Sequence, residues 1–127
     1  MTQQLVRDKR VEMLEADGCT VQQRRLSPAE LVHQLRGKLM EEATEAALAD
    51  DKDELAKELA DVLEVVEALA LAGEIGMDKV QEVKQARFDK LGGYGLGVFS
   101  ETVTVKAGSE SEAYHRQFPD KYKEVEE

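Results

Sequence analysis

The stretch MEEATEAALADDKDELAKELADV, residues 40–62, constrains this chain most, because it reads as the tip of a helical hairpin and sets acids where a helix face should be apolar. Ser27-Pro28-Ala29-Glu30 announces the first helix: Ser27 suits a cap, Pro28 the first helical position, and Glu30 closes a capping box. That helix is expected over 28–49. The Asp50-Asp51-Lys52-Asp53 cluster supplies a turn whose acids cap a second helix, which runs to about Ala72 before Gly73 and Gly76 break it.

At ~100° per residue, Leu31, Leu35, Leu39, Ala43, Ala46 and Ala49 fall within an arc of roughly 120° on the first helix. Glu42 projects into the middle of that arc, Lys38 and Glu45 sit at its edge, and Glu41 lies about 40° beyond Glu45. On the second helix Leu55, Leu59, Val62, Val66 and Leu69 define the stripe. Glu58 falls inside its margin and Asp61 at its rim, whereas Glu64 and Glu67 point away as surface charges do.

In a tight antiparallel hairpin, residues equidistant from the turn face each other. Glu42 and Asp61 are equidistant from a point between Asp51 and Lys52, and so are Glu45 and Glu58. The four acids are therefore expected at one level, each pair one turn apart along its helix. Clustered carboxylates repel and are costly to desolvate, so they persist only if protonated, paired with bases or bound to a cation. A donor set of oxygens alone, without His or Cys, suits Mg²⁺ or Mn²⁺ and argues against zinc. Glu42, Glu45, Glu58 and Asp61 are expected as metal ligands. The plainer alternative is a pair of acidic helices with the wheel out of phase by a residue or two.

Elsewhere, residues 8–17 suit a short helix ended by Gly18, 19–26 an extended segment, 78–91 a third helix stopped at Gly92-Gly93, and 98–106 a strand pairing with 19–26. The expected fold is mainly α: a helical hairpin plus a third helix, with a small peripheral β-hairpin or strand pair. Three helices are too few to close a four-helix core, so the bundle is expected to be completed by oligomerisation, as a homodimer or higher homo-oligomer. Residues 1–106 form the expected domain and 107–127 a C-terminal tail or arm.

The 27 acids against 17 Lys and Arg give a net charge of -10, which repels nucleic-acid polymers and anionic membranes. A small anionic ligand then needs local neutralisation by a basic pocket or a bound cation. The single cysteine, Cys19, excludes an internal disulfide, and MTQQLVRDKR lacks the apolar stretch of a signal peptide. The expected location is cytoplasmic.

Glu-x-x-Glu, twelve intervening residues, then Glu-x-x-Asp, with Glu41 making the start Glu-Glu-x-x-Glu, resembles the signature of the all-α nucleoside triphosphate pyrophosphohydrolases, the MazG-like superfamily. LVRDK at 5–9, the capped helix at 27, ELADVLEVVEAL at 58–69 and GGY at 92–94 further resemble its small phosphoribosyl-ATP pyrophosphohydrolase-like group, over about residues 5–99. Two places depart from that pattern. Arg10-Val11 replaces an apolar residue and proline, and Leu91-Gly92-Gly93-Tyr94 stands where Arg-Gly-Gly-Phe is usual, which puts the role of the missing Arg in doubt.

The resemblance implies Mg²⁺-dependent cleavage between the α and β phosphates of a nucleoside triphosphate, giving the monophosphate and pyrophosphate. By family position Glu42, Glu45, Glu58 and Asp61 would be the ligands and Glu41 would accept the proton of the attacking water, its alternative being a plain surface acid. Arg7 and Lys9 enter as substrate-binding residues through LVRDK alone. Lys38, one turn before Glu42, would pair with that acid or reach a phosphate. Lys84 and Arg87 lie one turn apart on the third helix, on the side of Val80 and Leu91, where phosphate binding and a snorkelling side chain look alike. Three readings follow: a house-cleaning pyrophosphohydrolase of non-canonical or surplus nucleotides, a phosphoribosyl-ATP hydrolase of histidine biosynthesis, or a non-catalytic helical regulator.

Overall fold

A computed structural model describes residues 3–117, and the side chains of 3–114. Its helices are α1 (Arg10–Ala16), α2 (Pro28–Ala47), α3 (Lys52–Ala72), α4 (Met77–Leu91) and α5 (Glu110–Gln117). The chain forms two compact units, Met1–Asp89 and Lys90–Glu127.

The first unit is organised by the hairpin of α2 and α3, the only helices among the described residues that pack on one another. Local chemistry fixes the start of each arm. Ser27 Oγ accepts from Glu30 N at 3.2 Å while Ser27 N donates to Glu30 Oε1 at 3.0 Å, so the expected capping box forms, and Pro28 opens the helix. Arg24 braces the cap, its Nη2 lying 2.8 Å from Glu30 Oε2. Two residues short of the expected end, α2 stops at Ala47. Asp51 then caps α3 by accepting from Glu54 N at 2.8 Å. The link between the two helices is four residues long, which forces them antiparallel and adjacent.

The core between them is thin: among the described residues only Leu35 and Ala70 are buried and apolar. Leu31, Val32, Leu39 and Ala46 of α2, and Val62, Val65, Val66 and Leu69 of α3, are half-buried around them. The packed face of α3 is rotated from the expected stripe. Leu55 and Leu59, expected inside, are 40% and 50% exposed, while Glu58 is 7% exposed. The face is centred on Glu58 because Val62, Val65 and Leu69 are the residues that follow it at helical spacing. On α2 the expected arc holds except at Ala43, which is exposed, and Ala49, which falls in the link beyond the helix.

The expected strand pair does not form. Residues 19–26 and 98–106 carry no strand among the described residues, and no backbone ladder joins them to other residues there. A strand needs a partner for its backbone and one apolar face. In 19–26 the half-buried Val21 and Leu26 are an odd number apart and would face opposite ways on a pleated strand. In 98–106 the alternation contributes only Val103 and Val105, with Val98 and Phe99 left exposed.

In the second unit, α5 begins where Glu112 N donates to Ser109 Oγ at 3.1 Å and Gly108 N donates to Glu112 Oε2 at 2.9 Å. The expected tail thus contains a capped helix, and residues 118–127 of it lie outside the described residues. No helix among the described residues is long and apolar enough to cross a membrane.

Candidate metal centre

The hairpin brings one carboxylate oxygen each from Glu42, Glu58 and Asp61 within 4.8 Å of one another. Glu42 and Asp61 meet because they are equidistant from the turn. Glu58 joins them because it precedes Asp61 by one helical turn and occupies the packed face. Glu58 is buried, with Glu42 and Asp61 half-buried beside it.

Glu45 is exposed and lies outside that triad, yet it senses it. The charge of Glu42, then burial, then side-chain hydrogen bonding with Glu42 and Glu58 hold the Glu45 carboxyl above its ordinary pKa. One carboxyl of the group thus retains its proton more readily than a free glutamate does.

Two oxygens stand out within the cluster. Glu42 Oε2 and Glu58 Oε2 are buried and accept no hydrogen bond. A buried acceptor without a donor loses its hydration and gains nothing in return. The rest of the cluster is partly neutralised by bases: Arg7 Nη2 lies 2.7 Å from Asp61 Oδ1, and Lys57 Nζ lies 3.1 Å from Glu58 Oε1 and 3.3 Å from Asp61 Oδ2. Those contacts raise the pKa of Lys57, the hydrogen bond it donates to Glu58 contributing most. Four acids against two bases leave uncompensated negative charge at the core of the hairpin. An all-oxygen set with two unsatisfied buried acceptors fits a hard divalent cation.

The other residues marked from the sequence are placed as follows. Lys38 is half-buried and pairs with Glu41, its Nζ 3.3 Å from Glu41 Oε2, so its acid partner is Glu41 and not the Glu42 anticipated above. Glu41 itself is exposed. Lys9 is exposed and caps α1 without a side-chain bond. Lys84 and Arg87 are exposed on α4, which packs on neither helix of the hairpin, and the structure does not bring them to the acids. Cys19 and His33 are exposed. Lys57 escaped the reading of the sequence altogether. Its signal is the spacing, one residue before Glu58 and four before Asp61, at which a lysine and an acid on a helix meet.

A helical hairpin that gathers carboxylates from both arms defines a class of all-α carboxylate-site proteins. The chain belongs to the phosphoribosyl-ATP pyrophosphohydrolase family, which it matches over residues 5–87, and through it to the MazG-like all-α superfamily. That match spans α1, α2, α3 and most of α4, hence every member of the acid cluster. Searches among curated proteins and among solved structures returned no match.

Proposed function

We propose that this protein is a Mg²⁺-dependent nucleoside triphosphate pyrophosphohydrolase that cleaves between the α and β phosphates and acts on non-canonical or surplus nucleotides. The observation that carries the reading is the pair of buried, unpartnered oxygens of Glu42 and Glu58 inside a cluster of acids. Family membership supports pyrophosphohydrolase chemistry.

Glu42, Glu58 and Asp61, with Glu45 beside them, would hold Mg²⁺, or Mn²⁺ in its place. When bound, such a cation neutralises phosphoryl oxygens and makes water a better nucleophile at neutral pH. Glu41 accepts the proton of the attacking water from its exposed place. Lys38 bonds Glu41 and so fixes its carboxylate, while one of its donors remains free for a phosphate oxygen. Arg7 and Lys9, from the N-terminal segment, supply charge for the leaving pyrophosphate, and Lys84 and Arg87, which lie away from the acids of their own chain, would do so from a second copy.

Assembly belongs to the same proposal. With two apolar residues buried among the described residues and Leu55, Leu59 and Leu63 exposed along α3, a second copy completes the bundle. In such an assembly, basic residues of one copy reach the acids of another.

A second reading is hydrolysis of phosphoribosyl-ATP, the compound named in the description of the matched family. One experiment separates the two. Pyrophosphate release is measured from a panel of canonical and modified nucleoside triphosphates and from phosphoribosyl-ATP, with Mg²⁺, with Mn²⁺ and with chelator. Metal-dependent release from simple triphosphates is the expected result. Release from phosphoribosyl-ATP alone selects the second reading, and no release from folded, metal-supplied protein leaves a non-catalytic regulator.

A further inference from the structure

Among the described residues Lys57 is bonded to two of the clustered acids at once, Glu58 and Asp61, while Glu58 Oε2 on the same carboxylate is buried and has no partner. Arg7 touches only Asp61. The position of Lys57 on α3 makes the double contact automatic, since one acid follows it directly and the other follows one turn later. Its side chain is 67% exposed. It is a compact point charge on a flexible stem, so it leaves its partners at small cost.

We infer that Lys57 is the exchangeable counter-ion of the acid cluster: in the metal-free protein its ammonium neutralises Glu58 and Asp61, and a divalent cation taking those oxygens displaces it. The inference rests on the metal reading of the site given above. A tethered ammonium cannot diffuse away, so every cation that enters competes with it. Lys57 thereby sets the concentration at which the site loads, and it weakens all divalent cations alike because it acts through charge alone.

The test is a calorimetric titration of the full chain with Mn²⁺ in the absence of nucleotide. Lys57→Met tightens Mn²⁺ binding about three- to fivefold, the upper end of the scale of one partly exposed ion pair. Lys57→Gln, which keeps a polar side chain, gives the same gain and guards against a fold defect in the first variant. Lys57→Arg retains the charge and stays within about twofold of the parent. Lys79→Met removes an equal charge from an exposed ion pair on α4, that with Glu82, and also stays within about twofold. Unchanged or weaker binding by both uncharged variants overturns the inference while leaving the metal site standing. Failure of the parent protein to bind millimolar Mn²⁺ overturns the metal reading and the inference together.

Discussion

Glu58 is the deepest charge in the hairpin, and its replacement by Gln tests the electrostatic account with a change of sign. In the metal-free protein Glu58 faces Glu42 and Asp61 at no more than 4.8 Å and attracts Lys57 at 3.1 Å. Coulomb's law with an effective dielectric of about 80 to 20 gives each repulsive pair ~0.9 to ~3.5 kcal/mol and the attractive pair ~1.3 to ~5.4 kcal/mol. Two repulsions outweigh one attraction by about 0.4 to 1.6 kcal/mol, so Glu58→Gln stabilises the metal-free protein. For a chain of this size that raises the melting temperature by roughly 2 to 6 °C. With the cation at a hundredfold above its dissociation constant, the parent gains about 2.7 kcal/mol, and a variant binding a hundredfold more weakly gains about 0.4. The two proteins therefore exchange rank. The assay is thermal unfolding followed by far-ultraviolet circular dichroism, for each protein in chelator and in Mg²⁺. A Gln variant that melts lower than the parent in chelator, and responds equally to Mg²⁺, refutes the account, because Glu58 would then be a structural group and not a strained ligand.

Leu35→Ala removes the one buried leucine of the hairpin and costs about 2 kcal/mol, near the low end for such truncations because its surroundings are only half-buried; urea unfolding measures it. Gly37→Ala on α2, where an added Cβ meets nothing within 4 Å, stabilises by about 0.5 to 1 kcal/mol in the same assay, and a loss there would reveal a second chain packed on that spot. Arg24, through its hydrogen bond, and Ser27 hold Glu30 down to a pKa of about 2. A depressed carboxylate pKa stabilises the fold above the ordinary value of 4.5, and that contribution is lost as pH falls towards about 2. Arg24→Gln therefore unfolds more readily than the parent at pH 5 to 7, and acid titrations of the two converge as pH falls towards about 2.

What could be read in the sequence was local or was fixed by a short link. Ser27, Pro28, Glu30 and Asp51 mark helix starts by chemistry confined to one turn, and all four act as caps or first-turn residues in the structure. The meeting of Glu42 with Asp61 was legible because a four-residue link leaves a hairpin almost no freedom of register. The helix at Ser109 was equally legible from Ser109 and Glu112, three apart, and passed unnoticed inside a polar tail.

The rest depended on partners distant along the chain. Strand pairing of 19–26 with 98–106 is a non-local event that alternation alone does not decide. The rotation of α3 was hidden because Leu55, Leu59 and Glu58 offer competing faces, and counting leucines chose the wrong one. Lys57 was overlooked because a lysine on a helix is ordinarily solvent-facing, and only its two partners give it meaning.

The brevity of the link between Leu48 and Asp51 has a consequence for how such a chain tolerates change. Surface loops ordinarily accept inserted residues cheaply. Here a single added residue would shift one arm along the other and turn it by about 100°, carrying Glu58 and Asp61 away from Glu42 while leaving every acid in the sequence. A survey of relatives for insertions at this bend would be more revealing than a survey of the acids themselves: a copy with all its carboxylates but a longer bend has kept the letters of the site and lost their alignment.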